Sequence, residues 1–256
     1  MPELRYPVAV SVLMPAFEAA ETLTAAVASV REQDFADWEL VIVDDGSRDG
    51  TRAVAEAMAE GEPRLRILHH DANRGAAEAR NTALAAARGR RIAFLDADDL
   101  WLPGKLSRQV AFMEATGAAL SYTGFWRERA ARSPGPPVRR AVTVPPSVTR
   151  TGLLRGNVIG CLTACYDRAQ LGSVPMPPLR LRQDFALWLD ILSRVERAYG
   201  LAEPLAVYRA RPRSLSSARL RAAAATWSMY RGHLGLRRSH AAFYMGSHLI
   251  RRVLRG

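Results

Sequence analysis

Short apolar runs alternate with segments of helical periodicity along the first hundred residues. Four apolar runs predict buried strands over 8–14, 40–43, 65–68 and 91–95. Between them, helical spacing or alanine content predicts helices over 21–30, 51–58 and 76–87. A repeated order of strand, crossover helix and strand is typical of an α/β fold, with a mostly parallel, Rossmann-like central sheet flanked by helices.

The pattern becomes less regular after residue 100. The elements predicted there are helices over 105–115, 183–195, 217–231 and 239–254, and strands over 118–126 and 205–208. The segment 133–146 contains five prolines, which predicts a loop or a mobile flap. We therefore divide the chain into an α/β half over 1–115, a second half of the same domain over 116–210, and a helical C-terminal extension over 211–256.

Composition excludes several classes of protein. The 256 residues are 48% hydrophobic and 24% charged, which is typical of a globular chain and not of a disordered or fibrous one. No run approaches the length of a transmembrane helix, and the first fifteen residues lack the pattern of a signal peptide, so we expect a cytoplasmic protein. Cys161 and Cys165 lack the partner cysteines of a disulfide framework or a four-cysteine zinc site.

The net charge of +11 is unevenly distributed. Residues 1–128 hold 14 Lys and Arg against 20 Asp and Glu, a net charge of −6, whereas residues 129–256 hold 22 against 5, a net charge of +17. From Leu205 to the end of the chain there are eleven arginines and no acidic residue. A basic surface predicts an anionic partner: a phosphorylated ligand, an acidic lipid surface or nucleic acid.

Acidic residues follow the fourth predicted strand. Asp96 and Asp98 flank one residue there, and in an extended chain side chains two residues apart point the same way. Because neighbouring carboxylates repel unless a cation joins them, the pair is a candidate site for Mg²⁺, which binds one or two carboxylates together with water and phosphate oxygens. The alternative is an acidic turn that caps the next helix.

Two other predicted strand ends carry candidate binding residues. Asp44 and Asp45 end the second strand, and the loop from Pro15 to Glu18 ends the first. The carboxyl ends of parallel strands meet at one edge of a sheet, where the ligands of such folds bind. A carboxylate at this edge can accept hydrogen bonds from a nucleobase or a ribose hydroxyl, whereas the alternative is a plain turn that caps the following helix.

Five segments, in order, make the chain resemble the family 2 glycosyltransferases, which are inverting enzymes of the GT-A fold that use nucleotide-sugar donors. The segments are Ser11-Val12-Leu13-Met14-Pro15-Ala16-Phe17-Glu18, Val41-Ile42-Val43-Asp44-Asp45-Gly46-Ser47 with Asp49-Gly50-Thr51, Asn73-Arg74-Gly75 with Ala79-Arg80-Asn81, Phe94-Leu95-Asp96-Ala97-Asp98-Asp99 with Trp101 and Pro103, and Gln183-Asp184-Phe185-Ala186-Leu187-Trp188. Each segment is weakly specific alone, but the ordered set across residues 3–190 is specific.

The resemblance implies a role for each matching residue. Asp184 would be the general base, and Asp98 would hold a Mg²⁺ or Mn²⁺ ion that bridges the donor diphosphate. Asp96 would approach the ribose or the ion, and Arg80 would lie near the phosphates or brace the loop of Asp45. The residues implied in nucleotide-sugar binding are Pro15, Ala16, Phe17, Glu18, Asp44, Asp45, Arg80, Asp96 and Ala97. Acceptor or phosphate contacts are predicted for Trp188, Arg211 and Ser214, and the alternatives are a packing role for Trp188 and a solvated basic loop over 211–216.

By the same resemblance, the chain would transfer a sugar from a nucleoside-diphosphate sugar, with UDP the favoured carrier, to a hydroxyl acceptor. The process would be cell-surface polysaccharide or glycolipid assembly, with a lipid-linked molecule as one candidate acceptor. Residues 1–115 would bind the donor, and residues 116–210 would supply the base and the acceptor site. The basic helices of 211–256 would contact the inner face of an acidic membrane or hold a phospholipid-linked acceptor, and the alternative is ordinary packing with a solvated basic face.

The chain departs from the family pattern at three positions. Phe17 and Glu18 stand where Tyr and Asn are usual, which removes a hydroxyl and an amide from the opening loop. Gln183 stands where Glu is common before the base. Because a neutral neighbour raises the pKa of a carboxyl group less than a carboxylate does, we expect Asp184 to stay ionised readily.

Other interpretations stay open on the residues alone. A nucleotidyltransferase on a similar sheet would require a glycine-rich phosphate loop with Lys or Arg after the first strand, which residues 14–20 lack. A nucleic-acid-binding module could use the basic half, but the acidic strand ends would repel the nucleic acid, so we expect no such partner. The changes at Phe17 and Glu18 would also fit an inactive nucleotide-sugar binder, although Asp98 and Asp184 are retained.

Overall fold

The computed structural model describes residues 6–129, 136–210 and 215–254, without the side chains of residues 215–219 and 248–254. In this part of the chain ten strands form one sheet, accompanied by nine α-helices. The strands are β1 (Val8–Ala16), β2 (Trp38–Asp44), β3 (Leu65–His69), β4 (Gly89–Phe94), β5 (Leu100–Trp101), β6 (Leu120–Arg129), β7 (Val138–Val142), β8 (Ser147–Thr149), β9 (Cys165–Asp167) and β10 (Arg197–Ala210). The helices are α1 (Ala20–Arg31), α2 (Thr51–Ala59), α3 (Ala76–Ala86), α4 (Lys105–Thr116), α5 (Arg150–Leu154), α6 (Arg168–Leu171), α7 (Gln183–Ile191), α8 (Leu215–Ser228) and α9 (Arg238–Leu254).

The sheet has a parallel half and a mixed half. Its strands lie in the order β3-β2-β1-β4-β9-β6-β10-β5, with β7 beside β6 and β8 beside β10. β3, β2, β1 and β4 are parallel, and so are β6 and β10. The other pairs are antiparallel. The predicted α/β class, a Rossmann-like sheet flanked by helices with a helical C-terminal extension, is confirmed, and the four neighbouring strands of the N-terminal half are all parallel.

Both faces of the parallel strands are buried. In β2, Leu40 and Ile42 pack into one core, and Val41 and Val43 pack into the other. This alternation arises because successive side chains of a strand point to opposite faces. Residues of α1, α2 and α4 cover the first face, and residues of α3 and α7 cover the second. Helices on both faces explain why the sequence shows continuous apolar runs at these strands.

The proline-rich segment is partly a strand, which corrects the prediction of a loop or flap over 133–146. β7 lies within it, pairs with β6 and exposes most of its side chains. An edge strand that faces solvent has no hydrophobic alternation for the sequence to reveal, and the prolines of the described part lie outside its ends, where no ladder N–H is required. Residues 130–135 lie outside the described part of the chain.

The C-terminal extension packs onto the α/β domain. Between α8 and α9 the chain forms a π-helical segment, Met229–His233. Met229, Tyr230 and Ala241 are buried in the core that α3 and α7 also line. Within the described ranges, no helix is long and apolar enough to cross a membrane. The boundaries predicted at residues 115 and 210 stay predictions. The sheet contains strands from both sides of residue 115.

Candidate active site

The carboxyl ends of β1, β2 and β4 open into a cavity of about 560 Å³, a size in the usual range for small-molecule sites. Eight residues predicted to bind the donor or the metal line this cavity: Pro15, Ala16, Phe17, Asp45, Arg80, Asp96, Ala97 and Asp98. The structure therefore brings together side chains from three strand-end loops that are distant in the chain. Their individual roles stay predictions.

Asp45 is held at the cavity by the backbone that precedes α3. Its Oδ1 accepts the N–H of Arg74 at 3.0 Å, and its Oδ2 accepts the N–H of Gly75 at 2.7 Å. The turn after Asp45 requires glycine: Gly46 has φ of +73°, and a Cβ there would lie 2.6 Å from the carbonyl carbon of Ala72. The glycine thus permits the close approach that places the carboxylate beside these two N–H groups.

Asp44 and Glu18 have hydrogen-bond partners within the protein, and the donor contacts expected of them stay predictions. Asp44 is buried, and its Oδ1 accepts the N–H of Ser47 at 3.3 Å. Glu18 accepts the N–H of Arg48 at 2.8 Å. Neither belongs to the described residues that line the cavity. These contacts stabilise the turns beside the cavity, so Asp45 is the better candidate for the nucleoside contact.

Three carboxyl groups cluster after β4. Asp96 and Asp98 line the cavity, whereas Asp99 is buried and accepts the N–H of Arg209 at 2.9 Å. Burial, followed by the negative charge of Asp96, raises the pKa of Asp99 to about 8, and Asp98 adds to this rise. Within the described ranges, no three His, Cys, Asp or Glu side chains are placed to hold a metal ion by themselves.

Arg80 is buried beside the acidic cluster. Its Nη2 donates to Oδ1 of Asp96, and its Nη1 lies 3.6 Å from the sulfur of Met176. Burial lowers the pKa of Arg80, but the charge of Asp96 outweighs it, so the pKa is raised and the guanidinium stays charged. Arg80 lines the cavity, where the predicted phosphate contact is open to it. Its hydrogen bond goes to Asp96, and both roles expected of Arg80 stay predictions.

The start of α7 reaches the same cavity. Gln183 lines the cavity together with Asp98. Asp184, the next residue, interacts electrostatically with Arg80, the side chain that binds Asp96. The start of α7 and the residues after β4 therefore meet at one cavity although they are far apart in the sequence, and the roles of Asp184 and Asp98 stay predictions.

The environment of Asp184 differs from the one that its sequence neighbours suggest. Burial is the main influence and raises its pKa. The N–H of Phe185 and the charges of Arg80 and Arg182 oppose that rise without cancelling it. The neutral Gln183 led us to expect a readily ionised carboxylate. Burial acts in the opposite direction, and it depends on tertiary packing that the neighbouring residues do not report.

Arg182 connects the start of α7 to the C-terminal extension. It has φ of +68°, a left-handed conformation that costs a non-glycine residue on the order of 1 kcal/mol. Its Nε donates to Oγ1 of Thr226 in α8 at 3.0 Å, and Thr226 is buried. No sequence pattern signals this contact, because its two residues lie in separate elements of unremarkable composition.

Trp188 lies in the core, and the acceptor or phosphate contact expected of it stays a prediction. Its side chain is fully buried, and its ring lies edge-on to Phe94 with the centroids 5.4 Å apart. Residues 185–189 are all buried, so this part of α7 belongs to the core and not to the rim of the cavity. Arg211 and Ser214 lie outside the described residues, and the roles expected of them stay predictions.

Some residues that line the cavity were not predicted to bind the donor: Ala19, Asn73, Ala76, Arg180 and Gln183. Arg180 adds a second cationic side chain to the cavity beside Arg80. It lies in an irregular segment that has no recognisable motif, so only the fold brings it to the site. Asn73 and Gln183 belong to the motif segments, but their position in a motif did not tell which way their side chains point.

Sequence comparisons identify relatives of this chain. The profile described as "Glycosyl transferase family 2" matches residues 11–166. TuaG of Bacillus subtilis (strain 168), named as a glycosyltransferase of teichuronic acid biosynthesis, is 41% identical over 222 residues, which cover 87% of each chain. WfgD of Escherichia coli, named UDP-Glc:alpha-D-GlcNAc-diphosphoundecaprenol beta-1,3-glucosyltransferase, is 37% identical over 183 residues, 72% of this chain and 69% of WfgD.

Solved structures share the fold. Residues 1–349 of S. aureus TarS, in complex with UDP-GlcNAc, superpose with a TM-score of 0.70 at 20% identity, covering 94% of this chain and 72% of that one. The mannosyltransferase PcManGT from Pyrobaculum calidifontis, in complex with GDP-Man and Mn²⁺, gives a TM-score of 0.69 at 21% identity, covering 96% and 70%. The fold is thus GT-A, as expected. Since the profile spans more than half of the chain, this protein belongs to glycosyl transferase family 2.

Proposed function

We propose that this glycosyltransferase moves a sugar from a nucleoside-diphosphate sugar to a hydroxyl acceptor, with inversion at the anomeric carbon, during assembly of a cell-surface polysaccharide or glycolipid. The observation that carries the proposal is the cavity shared by Asp98 and by Gln183, the residue before Asp184. In this arrangement one carboxylate can act beside the donor diphosphate and another beside the acceptor hydroxyl.

The donor that we propose is a UDP sugar. WfgD is named for UDP-Glc, and the TarS structure contains UDP-GlcNAc. Asp45 accepts hydrogen bonds, so it suits a base whose ring carries an N–H group, as uracil does at N3. Arg80 and Arg180 line the same cavity and supply positive charge for the diphosphate.

The cofactor that we propose is Mg²⁺ or Mn²⁺, held by Asp98 with Asp96 beside it. Two carboxylates that line one cavity fit these ions, which take one or two protein carboxylates and complete their shell with water and phosphate oxygens. Because Asp96 and Asp98 already raise the pKa of Asp99, a cation at this turn would relieve repulsion among the three groups. When bound, such an ion stabilises the charge of the leaving diphosphate as a Lewis acid.

Asp184 is the proposed general base. It takes the proton of the acceptor hydroxyl as the hydroxyl oxygen forms a bond to the anomeric carbon. The bond from that carbon to the diphosphate oxygen breaks on the opposite face, and the nucleoside diphosphate leaves with the bonding electron pair. A single displacement inverts the configuration and requires no protein nucleophile. Burial raises the pKa of Asp184, which makes its ionised carboxylate a stronger base for this proton.

The acceptor that we propose is lipid-linked, and the protein would meet it at the inner face of the membrane as a peripheral cytoplasmic protein. WfgD is named for an acceptor linked to diphosphoundecaprenol. Leu220, Trp227 and Phe243 of the C-terminal extension are exposed, in a region rich in arginine and free of acidic residues. Exposed apolar side chains among cations suit the interface of an anionic bilayer.

A thermal-shift screen tests the donor and the cofactor. UDP, GDP, CDP and ADP are each added with and without Mn²⁺, and we expect UDP with Mn²⁺ to raise the unfolding temperature most. The reason is that a ligand that binds only the folded protein stabilises it by mass action. If none of the four nucleotides raised the unfolding temperature, the proposed function would be contradicted. If the rise were the same with and without Mn²⁺, only the proposed metal would be contradicted.

A transfer assay tests the chemistry and the acceptor. The protein is incubated with an α-linked UDP sugar, Mn²⁺ and a diphosphoundecaprenol-linked GlcNAc, and the product linkage is read by NMR. We expect a β linkage, and an α linkage would contradict inversion. Co-sedimentation with phosphatidylglycerol vesicles at low and high salt tests the membrane contact, which should weaken as salt screens the charges. Equal binding to neutral vesicles would contradict the electrostatic attraction.

A further inference from the structure

Asp45 has a side-chain partner that belongs to none of the motif segments. Nδ1 of His70, the residue directly after β3, lies 2.6 Å from Oδ1 of Asp45. Nε2 of the same imidazole lies 2.9 Å from Oγ1 of Thr82 in α3. The His70 and Asp45 side chains are only 5% and 3% exposed, so water competes little for either hydrogen bond. Thr82, which is partly exposed, and the buried His70 and Asp45 thus form a hydrogen-bonded chain that ends at the cavity.

The hydrogen bonds of Asp45 nearly fill its capacity. A carboxylate offers about four lone-pair positions. On Oδ1, His70 and the N–H of Arg74 take two of them, and on Oδ2 the N–H of Gly75 takes a third. One position therefore remains, on Oδ2. Since Asp45 lines the cavity, this position is available to a ligand there.

His70 differs from the other two donors in what it controls. Arg74 and Gly75 donate from the backbone, whereas within the described residues His70 is the one side chain that donates to Asp45. Because an ionised carboxylate only accepts, Nδ1 of His70 carries the proton, and the hydroxyl of Thr82 fixes the far side of the ring. Without His70, Oδ1 would lose one donor and the carboxylate could rotate away from the cavity.

We infer that His70 is a positioning residue for nucleobase recognition. It holds the Asp45 carboxylate so that the remaining lone pair of Oδ2 meets the ring N–H of uracil. The inference rests on the proposed UDP-sugar donor and adds the residue that determines how strongly the base is selected. A base whose ring N–H is methylated gains nothing from this arrangement.

Binding of UDP and of N3-methyl-UDP tests the inference. Both dissociation constants are measured by titration calorimetry in Mn²⁺ on the full chain. We expect the wild-type protein to prefer UDP by about tenfold or more, since the contact is a hydrogen bond to a charged group. In His70→Ala, the affinity for UDP should fall by about the same factor, whereas the affinity for N3-methyl-UDP should stay as in the wild type. The ratio of the two dissociation constants should therefore fall towards one.

Two conservative variants separate the hydrogen bond from the bulk of the side chain. His70→Asn keeps an N–H near the Nδ1 position, and we expect it to retain most of the preference for UDP. His70→Gln places its amide nearer to Thr82, and we expect it to lose the preference. His69→Ala removes the exposed imidazole one residue earlier and should change neither affinity. If His70→Ala does not fold, the Asn and Gln variants still test whether the N–H group at the position of Nδ1 determines the preference for UDP.

Transfer kinetics add a second readout. In His70→Gln, the KM for the UDP sugar should rise while kcat changes little, because the base binds away from the carbon that reacts. Thr82→Val should lower the affinity for UDP by a smaller factor, about twofold to fivefold, since it removes only the hydrogen bond between Thr82 and His70.

The outcomes distinguish this inference from the proposed function. Equal weakening of UDP and N3-methyl-UDP in the His70 variants would indicate a merely structural role and overturn the inference alone, as would an unchanged preference. Failure of the wild-type protein to bind any nucleoside diphosphate would overturn the proposed function and the inference with it. A wild-type preference for GDP over UDP would also overturn the inference, because the contact that it assigns is to the ring N–H of uracil.

Discussion

The two halves of the sheet differ in how they contribute to the cavity. β1, β2 and β4 are parallel neighbours, and the residues that follow each of them line the cavity directly. The mixed half, from β6 to β10, contributes only Arg180 and Gln183 among the described lining residues, both from the segment that leads into α7. The first half thus forms a binding surface from local strand ends, whereas the second half supplies a few groups through long-range packing.

We propose from this difference that the first half binds the nucleotide and that the second half supplies the chemistry. The strand ends of the first half are acidic or apolar and suit a nucleoside and a cation. The segment around Asp184 carries the proposed base, and the contact between Arg182 and Thr226 supports it from the C-terminal extension. Substitutions in the first half should therefore change the affinity for the nucleotide, and substitutions near α7 should change the rate of transfer.

The largest expected effect is the loss of transfer in Asp184→Asn. An amide cannot accept the hydroxyl proton, so we expect kcat to fall by roughly 10²–10⁴-fold, while the affinity for UDP with Mn²⁺ stays as in the wild type. Asp190→Asn is the matched control, because Asp190 lies on the same helix and pairs with His233 at 2.9 Å. If Asp184→Asn retained the wild-type kcat, Asp184 would be excluded as the general base.

The pH profile of kcat sharpens the same point. Burial raises the pKa of Asp184, and the base acts only when ionised. Activity should therefore be present at high pH and fall as the pH decreases through a value above the ordinary aspartate pKa of 3.8. Stopped-flow assays over a range of pH measure this acidic limb. If kcat fell only at or below pH 3.8, burial would not determine the pKa of Asp184.

A smaller effect, on binding, is expected for Asp98→Ala in the first half. Removing the proposed metal ligand should lower the affinity for UDP in Mn²⁺ by about tenfold, a change of ~1.4 kcal/mol, to the value measured without metal. Calorimetry with and without Mn²⁺ measures the difference, and Asp37→Ala, at an exposed site, serves as the control. An undiminished response to Mn²⁺ would exclude Asp98 as a ligand.

The opposite edge of the same parallel strands should affect stability alone. Glu39 in β2 is buried and accepts the hydroxyl of Ser11 and the N–H of Arg88, each at 2.6 Å. We expect Glu39→Gln to lower the free energy of unfolding by about 1–3 kcal/mol and to leave UDP binding unchanged. Urea denaturation and calorimetry measure the two quantities, with exposed Glu60→Gln as the control. A matching loss of affinity would show that the two edges are not independent.

Glu39 also predicts how stability depends on pH. Burial raises its pKa, but the hydrogen bonds from Ser11 and Arg88 outweigh burial and hold the pKa below 4.5. The stabilisation is therefore present above pH 4.5 and is lost as the pH falls from there through the lowered native pKa. Glu39→Gln should lose this part of the acid dependence, and the control Glu60→Gln should retain it.

A small effect on the rate of transfer is expected at the contact between the C-terminal extension and α7. Thr226→Val removes the acceptor for Nε of Arg182 with little change in shape. We expect kcat to fall about fivefold, equivalent to ~1 kcal/mol, with the KM for the donor unchanged. Ser228→Ala, at an exposed position of α8, is the control. An unchanged kcat would show that the extension does not position Asp184.

Much of the first half was predictable because its signals are local. A run such as that of β2 is apolar throughout because helices cover both faces of the strand, and the run itself reveals this. Once β1, β2 and β4 are parallel neighbours, their following residues must meet at one edge. The meeting of Asp45, Asp96 and Asp98 at the cavity follows from strand order alone.

The second half was less predictable because its signals are spread over distant segments. β7 pairs through its backbone at the edge of the sheet and shows no hydrophobic alternation. Trp188 lies one turn from Asp184, and helical periodicity allows either a ligand contact or a place in the core. Its burial depends on Phe94 in β4, which no local pattern reports.

By itself, the sequence determined the α/β class, the ordered family motifs, the acidic strand ends and the basic C-terminal region. Only the tertiary structure decided that Asp45 and not Asp44 lines the cavity, that Arg80 binds Asp96, and that His70 holds Asp45. The physical reason is the distance along the sequence over which each property is determined. The periodicity of strands and helices is written in neighbouring residues, whereas burial and hydrogen-bond geometry depend on groups that meet only after the chain has folded.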